Sequence, residues 1–174
     1  NYIQIFNKPS YSYTFNPANG CVPQQVCFDG TINPGCGTVS SVIFDSKDGI
    51  VYNTEDFCLI YNNPGNYTGF TVSIQNSCGC VFTENIQDTI KIRNNPIANF
   101  TANQNSSCTA PLNVTFTNTS NTLPGSTYIW NIPGLVNNVT STNLTQSFAA
   151  GVYSVELIVV QPGGCRDTIL KPNF

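Results

Sequence analysis

The strongest constraint on this chain is that it matches itself. Aligned at an offset near 87 within its 174 residues, Asn7-Lys8-Pro9 meets Asn94-Asn95-Pro96, Tyr13-Thr14 meets Phe100-Thr101, Asn16 meets Asn103 and Cys21 meets Cys108. After one or two gaps Val26-x-Phe28 meets Val114-x-Phe116, Gly65-x-Tyr67 meets Gly151-x-Tyr153, and Gly79-Cys80 meets Gly164-Cys165. Asp88-Thr89-Ile90 then meets Asp167-Thr168-Ile169, with a longer turn before it in the first copy. The order is kept throughout, which marks a tandem of structural units. The boundary falls at Arg93-Asn94-Asn95-Pro96 and gives units 1–93 and 94–174.

Within each copy the hydrophobic period is two. Val114 and Phe116, Tyr128 and Trp130, and Tyr153, Val155, Leu157 and Val159 alternate with other residues, as half-buried strands require. Turn signals punctuate them at Asn16-Pro17, Asn33-Pro34-Gly35, Lys47-Asp48-Gly49, Asn63-Pro64-Gly65, Pro124-Gly125 and Pro162-Gly163-Gly164. No helical stripe is sustained. The expected fold class is all-β: two tandem immunoglobulin-like sandwiches of about seven strands each, disulfide-stapled.

Asn1-Tyr2-Ile3-Gln4-Ile5-Phe6 aligns, at the same offset, with Asp88-Thr89-Ile90-Lys91-Ile92-Arg93, the last strand of the first copy. It reads as the final strand of a preceding repeat in a longer array, as an ordinary first strand, or as a strand donated to a neighbouring subunit.

Charged residues are only 9% of the chain, against ~25% in ordinary soluble domains. The polar surface must come from Asn, Thr, Ser and Gln, which suits the outside of a cell. A net charge of −3 gives no basic footprint for nucleic acid or an anionic membrane. No apolar run is long enough for a spanning helix. Eight cysteines stand beside no histidine and no methionine. With no His and no paired CxxC knuckle, a zinc site is a poor reading. Disulfides and an oxidising, extracellular, cell-surface or secreted setting are the better one.

Pro96-x-Ala98-x-Phe100, Pro111-x-x-Val114-x-Phe116-x-Asn118-x-Ser120, Tyr128-x-Trp130 and Phe148-x-x-Gly151-x-Tyr153-x-Val155-x-Leu157 resemble the PKD family, the Ig-like repeat first named in polycystin. Cys108 and the closing Gly164-Cys165-x-Asp167-Thr168 make it similar to the cysteine-bracketed PKD-type repeats of Bacteroidetes secreted proteins. Those occur in cell-surface adhesins, in gliding-motility proteins and as spacers of secreted hydrolases. The first copy departs, with Ile43-Phe44-Asp45 where Trp-x-Phe is usual and four extra cysteines. The resemblance implies fold more sharply than function.

The repeat alignment pairs Cys108 with Cys165 and Cys21 with Cys80. In the sandwich topology Val26 and Phe28 point inward, so Cys27 faces out; Phe57, Leu59 and Tyr61 point inward, so Cys58 faces out. Their strands are neighbours, which pairs Cys27 with Cys58. Cys36 and Cys78 sit at adjacent ends of an antiparallel pair and complete the set.

Catalysis has little footing. Without histidine there is no Ser-His-Asp or Cys-His arrangement, and the nine acidic residues are scattered. No enzyme activity and no cofactor are expected. Asp45-x-x-Asp48-Gly49 offers oxygens to Ca²⁺; the competing reading is a turn held by Asp side chains on backbone. Tyr2, Tyr11, Tyr52, Tyr61 and Tyr67 are candidates for a sugar-stacking face, although Tyr61 and Tyr67 fall at core positions, as does Trp130. Thr89 and Thr168, in Asp-Thr-Ile triplets, resemble the O-glycosylation motif of Bacteroidetes secreted proteins. Asn66, Asn99, Asn105, Asn113, Asn118, Asn138 and Asn143 head N-x-S/T sequons, which this composition produces by itself.

The expected function is a structural or adhesive repeat module of an extracellular bacterial surface protein or filament, serving as a rigid stalk or adhesion unit. The alternative is a carbohydrate-binding or spacer module of a secreted hydrolase. Expected partners are neighbouring repeats, copies of the same subunit, or surface glycans.

Overall fold

Every regular element among the described residues, 2–46 and 50–173 of a computed structural model, is a β-strand. The chain divides into two units, Asn1–Arg93 and Asn94–Phe174.

Unit 1 contains β1 (Ser10–Asn16), β2 (Asn19–Cys21), β3 (Gln24–Asn33), β4 (Val39–Asp45), β5 (Val51–Tyr52), β6 (Phe57–Tyr61), β7 (Gly65–Tyr67), β8 (Phe70–Asn76), β9 (Val81–Ile86) and β10 (Ile90–Arg93). One sheet runs β1-β3-β6, another β5-β4-β8-β9, and a third, short one β2-β10-β7. The period-two pattern sets which side chains are inside. On β3, Val26 and Phe28 are buried while their neighbours are not; β8 buries Phe70, Val72 and Ile74 in the same way. Phe28 is the hub, with ring centroids 5.1 Å from Phe44, 4.8 Å from Phe57 and 5.5 Å from Phe70. Offset and edge-to-face contacts of this kind add to plain burial.

Unit 2 contains β11 (Phe100–Ala102), β12 (Leu112–Asn118), β13 (Thr127–Ile132), β14 (Val136–Thr140), β15 (Leu144–Phe148), β16 (Val155–Val160) and β17 (Arg166–Lys171). Its sheets run β11-β12-β15 and β14-β13-β16-β17. Trp130 is fully buried between them, edge-on to Phe100 at 5.2 Å. In unit 1 its place is taken by Phe44: Trp130 pairs with Leu157 of β16, and Phe44 with Val72 of β8.

The seven strands of unit 2 match β1, β3, β4, β5, β6, β8 and β9 in order. The small β2-β10-β7 sheet is what unit 1 has in addition. One hairpin fixes the correspondence. Asn76 N–H donates to Cys80 O at 3.0 Å and Gly79 N–H to Asn76 O at 3.0 Å. Gln161 N–H donates to Cys165 O at 2.8 Å and Gly164 N–H to Gln161 O at 3.0 Å. Gly79 and Gly164 take φ of 84° and 89°, a region where a side chain is strained.

Three expectations are corrected here. The matching Asp-Thr-Ile triplets are not equivalent in space: β17 corresponds to β9, so Thr168 lies inside β17 opposite Ile158, whereas Thr89 precedes β10. The segment from Tyr2 to Phe6 is not an ordinary first strand, because it makes no ladder and Ile3 and Ile5 are each 90% exposed. The expected bridges Cys21–Cys80 and Cys108–Cys165 are not formed, since Cys80 and Cys108 carry free thiols. Cys21 is on β2, opposite Arg93 of β10, while Cys80 sits at the β8–β9 turn of another sheet. Cys108 lies in the exposed loop before β12, and Cys165 is buried at the β16–β17 turn. Cys21 and Cys165 are each disulfide-bonded.

Candidate functional site

The alternation of β3 and β6 turns Cys27 and Cys58 to the outer face, where antiparallel register puts them opposite one another. They are joined, with Cα atoms 4.0 Å apart. Cys36 and Cys78 are joined with Cα atoms 6.1 Å apart. This second bridge links the β3–β4 connection to the β8–β9 turn, where Thr38 N–H also donates to Ser77 Oγ at 3.1 Å and Ser77 N–H to Thr38 O at 2.8 Å.

Asn76, at the end of β8, organises the same corner and was not singled out by the sequence. It is 1% exposed. Its Nδ2 donates to Pro34 O at 2.8 Å and Asn7 O at 3.1 Å, and its Oδ1 accepts from Cys80 N–H at 2.9 Å. The only sequence signal for it was a polar residue in phase with buried Val72 and Ile74.

The other candidates do not converge. Asp45 ends β4, and Asp48 lies outside the described residues. Asp56, the nearest downstream acid with an assigned role, accepts from Gly30 N–H at 2.9 Å. Among the described residues no group of three His, Cys, Asp or Glu side chains is gathered to hold a metal. The tyrosines scatter too. Tyr61 is buried and its ring lies 4.3 Å from that of Tyr67; Tyr52 stacks on Phe57 at 4.3 Å; Tyr2 is exposed. Thr89 is half-buried and Thr168 exposed. Trp130 Nε1 donates to Ser141 O at 3.0 Å inside unit 2.

Two features escaped the sequence reading. One is a groove of about 430 Å³ in unit 2, between Ser106–Cys108 and Gly151–Tyr153. The other is the stacking of the candidate Tyr11 on Tyr13, not singled out for that face, at 5.7 Å along β1, where both rings are partly buried against the core. The Tyr13 hydroxyl donates to Asp88 Oδ2 at 2.6 Å. Burial, followed by the Asp56 carboxylate, pushes the Tyr11 phenol up to about 12. Burial, followed by the bond to Asp88, raises Tyr13 as well.

Both shifts favour the neutral phenol in the folded state. Their contribution to stability is complete below the unfolded value of about 10 and is lost as pH rises through the folded values. The urea midpoint should therefore fall between about pH 10 and 12. A Tyr11→Phe/Tyr13→Phe variant should show a flatter fall over that window. Equal slopes for variant and parent would show that neither phenol couples to folding.

No protein-family model matches the chain, and no curated protein does. Among solved structures it is similar to a carbohydrate-binding module of the β-sandwich superfamily, at 14% identity and TM-score 0.46, over 98% of this chain and 86% of that one. It is also similar to Clostridium thermocellum CbhA fibronectin(III)-like modules, at 12% identity and TM-score 0.42, over 91% and 92% of the two chains. A third likeness is to the three N-terminal domains of the bacteriophage RB49 outer capsid protein Hoc, at 14% identity and TM-score 0.39, over 94% of this chain and 58% of that one.

Proposed function

We propose that this chain is a structural and adhesive pair of PKD-type repeats from an extracellular bacterial surface protein or filament, serving as a stalk that holds its shape and resists digestion. The observation that carries this reading is the cross-linking of unit 1. Cys27–Cys58 ties two adjacent strands of one sheet, and Cys36–Cys78 ties a connection to the far hairpin. Each bridge restricts the unfolded chain and is worth roughly 2–4 kcal/mol, and both require an oxidising compartment. The sparse charge of 9% fits a surface solvated by amides and hydroxyls. The aromatic side chains that a sugar platform would need are mostly spent inside: Tyr61 and Trp130 are buried, and Tyr52 is stacked on Phe57.

Timed digestion with subtilisin, with and without reductant, tests this. The oxidised chain should keep unit 1 intact about tenfold longer, or more, than the reduced chain. Equal digestion in the two buffers would remove the mechanical role. Saturable binding of the isolated pair on a glycan array would transfer the chain to the carbohydrate-binding reading.

A further inference from the structure

The two units treat the same sheet edge differently. In unit 2, β11 is the outer strand of its sheet. Asn99 O accepts from Thr119 N–H at 2.9 Å, and Asn103 N–H donates to Thr115 O at 3.1 Å. Antiparallel alternation therefore turns the main-chain groups of Ala98, Phe100 and Ala102 outward. Charged side chains of β17 take two of these groups. Ala98 N–H donates to Asp167 Oδ2 at 2.8 Å, and Lys171 Nζ donates to Phe100 O at 2.5 Å. Inward-reaching charges of this kind keep a free edge from pairing with another chain. β11 is also only three residues long.

In unit 1, β1 is the outer strand of the matching sheet. Tyr13 lies opposite Gly30 as Phe100 lies opposite Asn118. Gly30 N–H points away from β1, to Asp56 Oδ1 at 2.9 Å. Tyr13 and Gly30 thus exchange no main-chain bonds, and the N–H and C=O groups of Tyr11, Tyr13 and Phe15 face outward. The charged guards are missing: the ladders put Phe82 and Ile86 of β9 where β17 has Asp167 and Lys171. Among the described residues nothing outside β3 bonds the main chain of residues 10–16. β1 is the longest outer strand among the described residues, at seven residues, and holds no charge, proline, glycine or bulge. Its outer place belongs to the fold of the unit, since β11 has the same place in a unit that follows another in the chain.

We propose that β1 is a docking edge for β1 of a second copy of this chain, the two strands running antiparallel about Tyr13. Ser10-Tyr11-Ser12-Tyr13-Thr14-Phe15-Asn16 has one pattern read from either end: aromatic residues at 11, 13 and 15, hydroxyl or amide residues at the other four positions. Turned end to end on itself, it sets Tyr13 opposite Tyr13, Tyr11 opposite Phe15 and Ser12 opposite Thr14 of the other copy. Outward residues then meet outward residues, and each such pair exchanges two main-chain bonds. The rings gain as well. Tyr11, Tyr13 and Phe15 stack in a row at 5.7 and 6.5 Å, yet stay half-buried. A second row one strand spacing away covers their open side, and aromatic pairs across strands add to sheet stability. A neutral strand with this symmetry favours its own copy over a charged partner strand. The contact uses the same patch on both chains, so it closes at two. It stands apart from the stalk reading, which needs no pairing of copies.

All chains for the test carry Cys80→Ser/Cys108→Ser, so that the free thiols cannot link copies. Sedimentation equilibrium should show monomer passing to dimer as concentration rises. Charge then reads the register. Ser12 and Thr14 are exposed, and the dimer sets each opposite the other twice. Ser12→Lys/Thr14→Lys places like charges opposite one another. Ser12→Glu/Thr14→Lys places opposite charges there, with the lysine also facing Asp29 of β3. The first variant should dimerise more weakly than the parent and the second more tightly, the two dissociation constants differing by about tenfold or more. Unit 1 should melt as a folded unit in both. Amide exchange identifies the edge without any substitution in β1: Tyr11, Tyr13 and Phe15 should slow by at least about tenfold on dimerisation, while Ser12 and Thr14, already bonded to β3, should not change. Monomer at every concentration, equal association of the two charge variants, or unchanged exchange at Tyr11, Tyr13 and Phe15 would each overturn the proposal. Uptake of an unrelated extended peptide by β1 in a chain that never dimerises would overturn it too, and would assign the edge to a different partner.

Discussion

Replacing Trp130 with alanine should cost unit 2 about 3–5 kcal/mol. That is a large part of the roughly 5–15 kcal/mol that holds a small domain folded. The indole is fully buried, edge-on to Phe100 at 5.2 Å and 6.0 Å from Phe116. Three losses combine. The transfer energy of the largest side chain in the unit is forfeited, a cavity opens between two sheets that cannot fully collapse into it, and Ser141 O loses the Nε1 donor at 3.0 Å. Calorimetry should show the unit 2 transition lowered by roughly 12–40 °C, at about 4–8 °C per kcal/mol for a domain of this size. The unit 1 transition should stay in place, because the two cores share no residue. Trp130→Phe should be milder, since Phe44 already fills that place in unit 1. An alanine variant that melts within a few degrees of the parent would show that the indole is not what joins the sheets.

Much of this arrangement was legible because a strand's period is the simplest physical signal a sequence carries. Val26, Phe28, Leu59 and Tyr61 alternate with Cys27 and Cys58, so the inner residues also assign the outer ones. The Cys27–Cys58 and Cys36–Cys78 bridges followed from placing strands beside each other, and both are present. The pairs taken from repeat alignment alone, Cys21–Cys80 and Cys108–Cys165, are not, because similarity along the chain does not say which sheet a residue joins. The Asp-Thr-Ile triplets misled for the same reason. Three residues, 87–89, separate β9 from β10, and matching the triplets by composition slid β17 onto the wrong one. The groove in unit 2 carried no sequence signal, since its walls are ordinary loop residues.

The Asn76 corner was the least legible, and Asn76→Ala should lower unit 1 by about 2–3 kcal/mol. The side chain makes three hydrogen bonds at once, to Asn7 O, Pro34 O and Cys80 N–H. Alanine removes the partners of all three, and a buried group left unpaired costs more than the net gain of a made bond. The urea midpoint should drop by about 1 M or more for a typical slope. Exchange of the Cys80 amide should accelerate by at least tenfold, the local counterpart of the global loss. Asn76→Gln should not restore the parent. Gln161 is its counterpart in unit 2, and although that side chain is buried its Oε1 has no partner among the described residues, so the longer amide does not reproduce the shorter one's geometry. A variant within about 0.5 kcal/mol of the parent would mean that water takes over all three bonds.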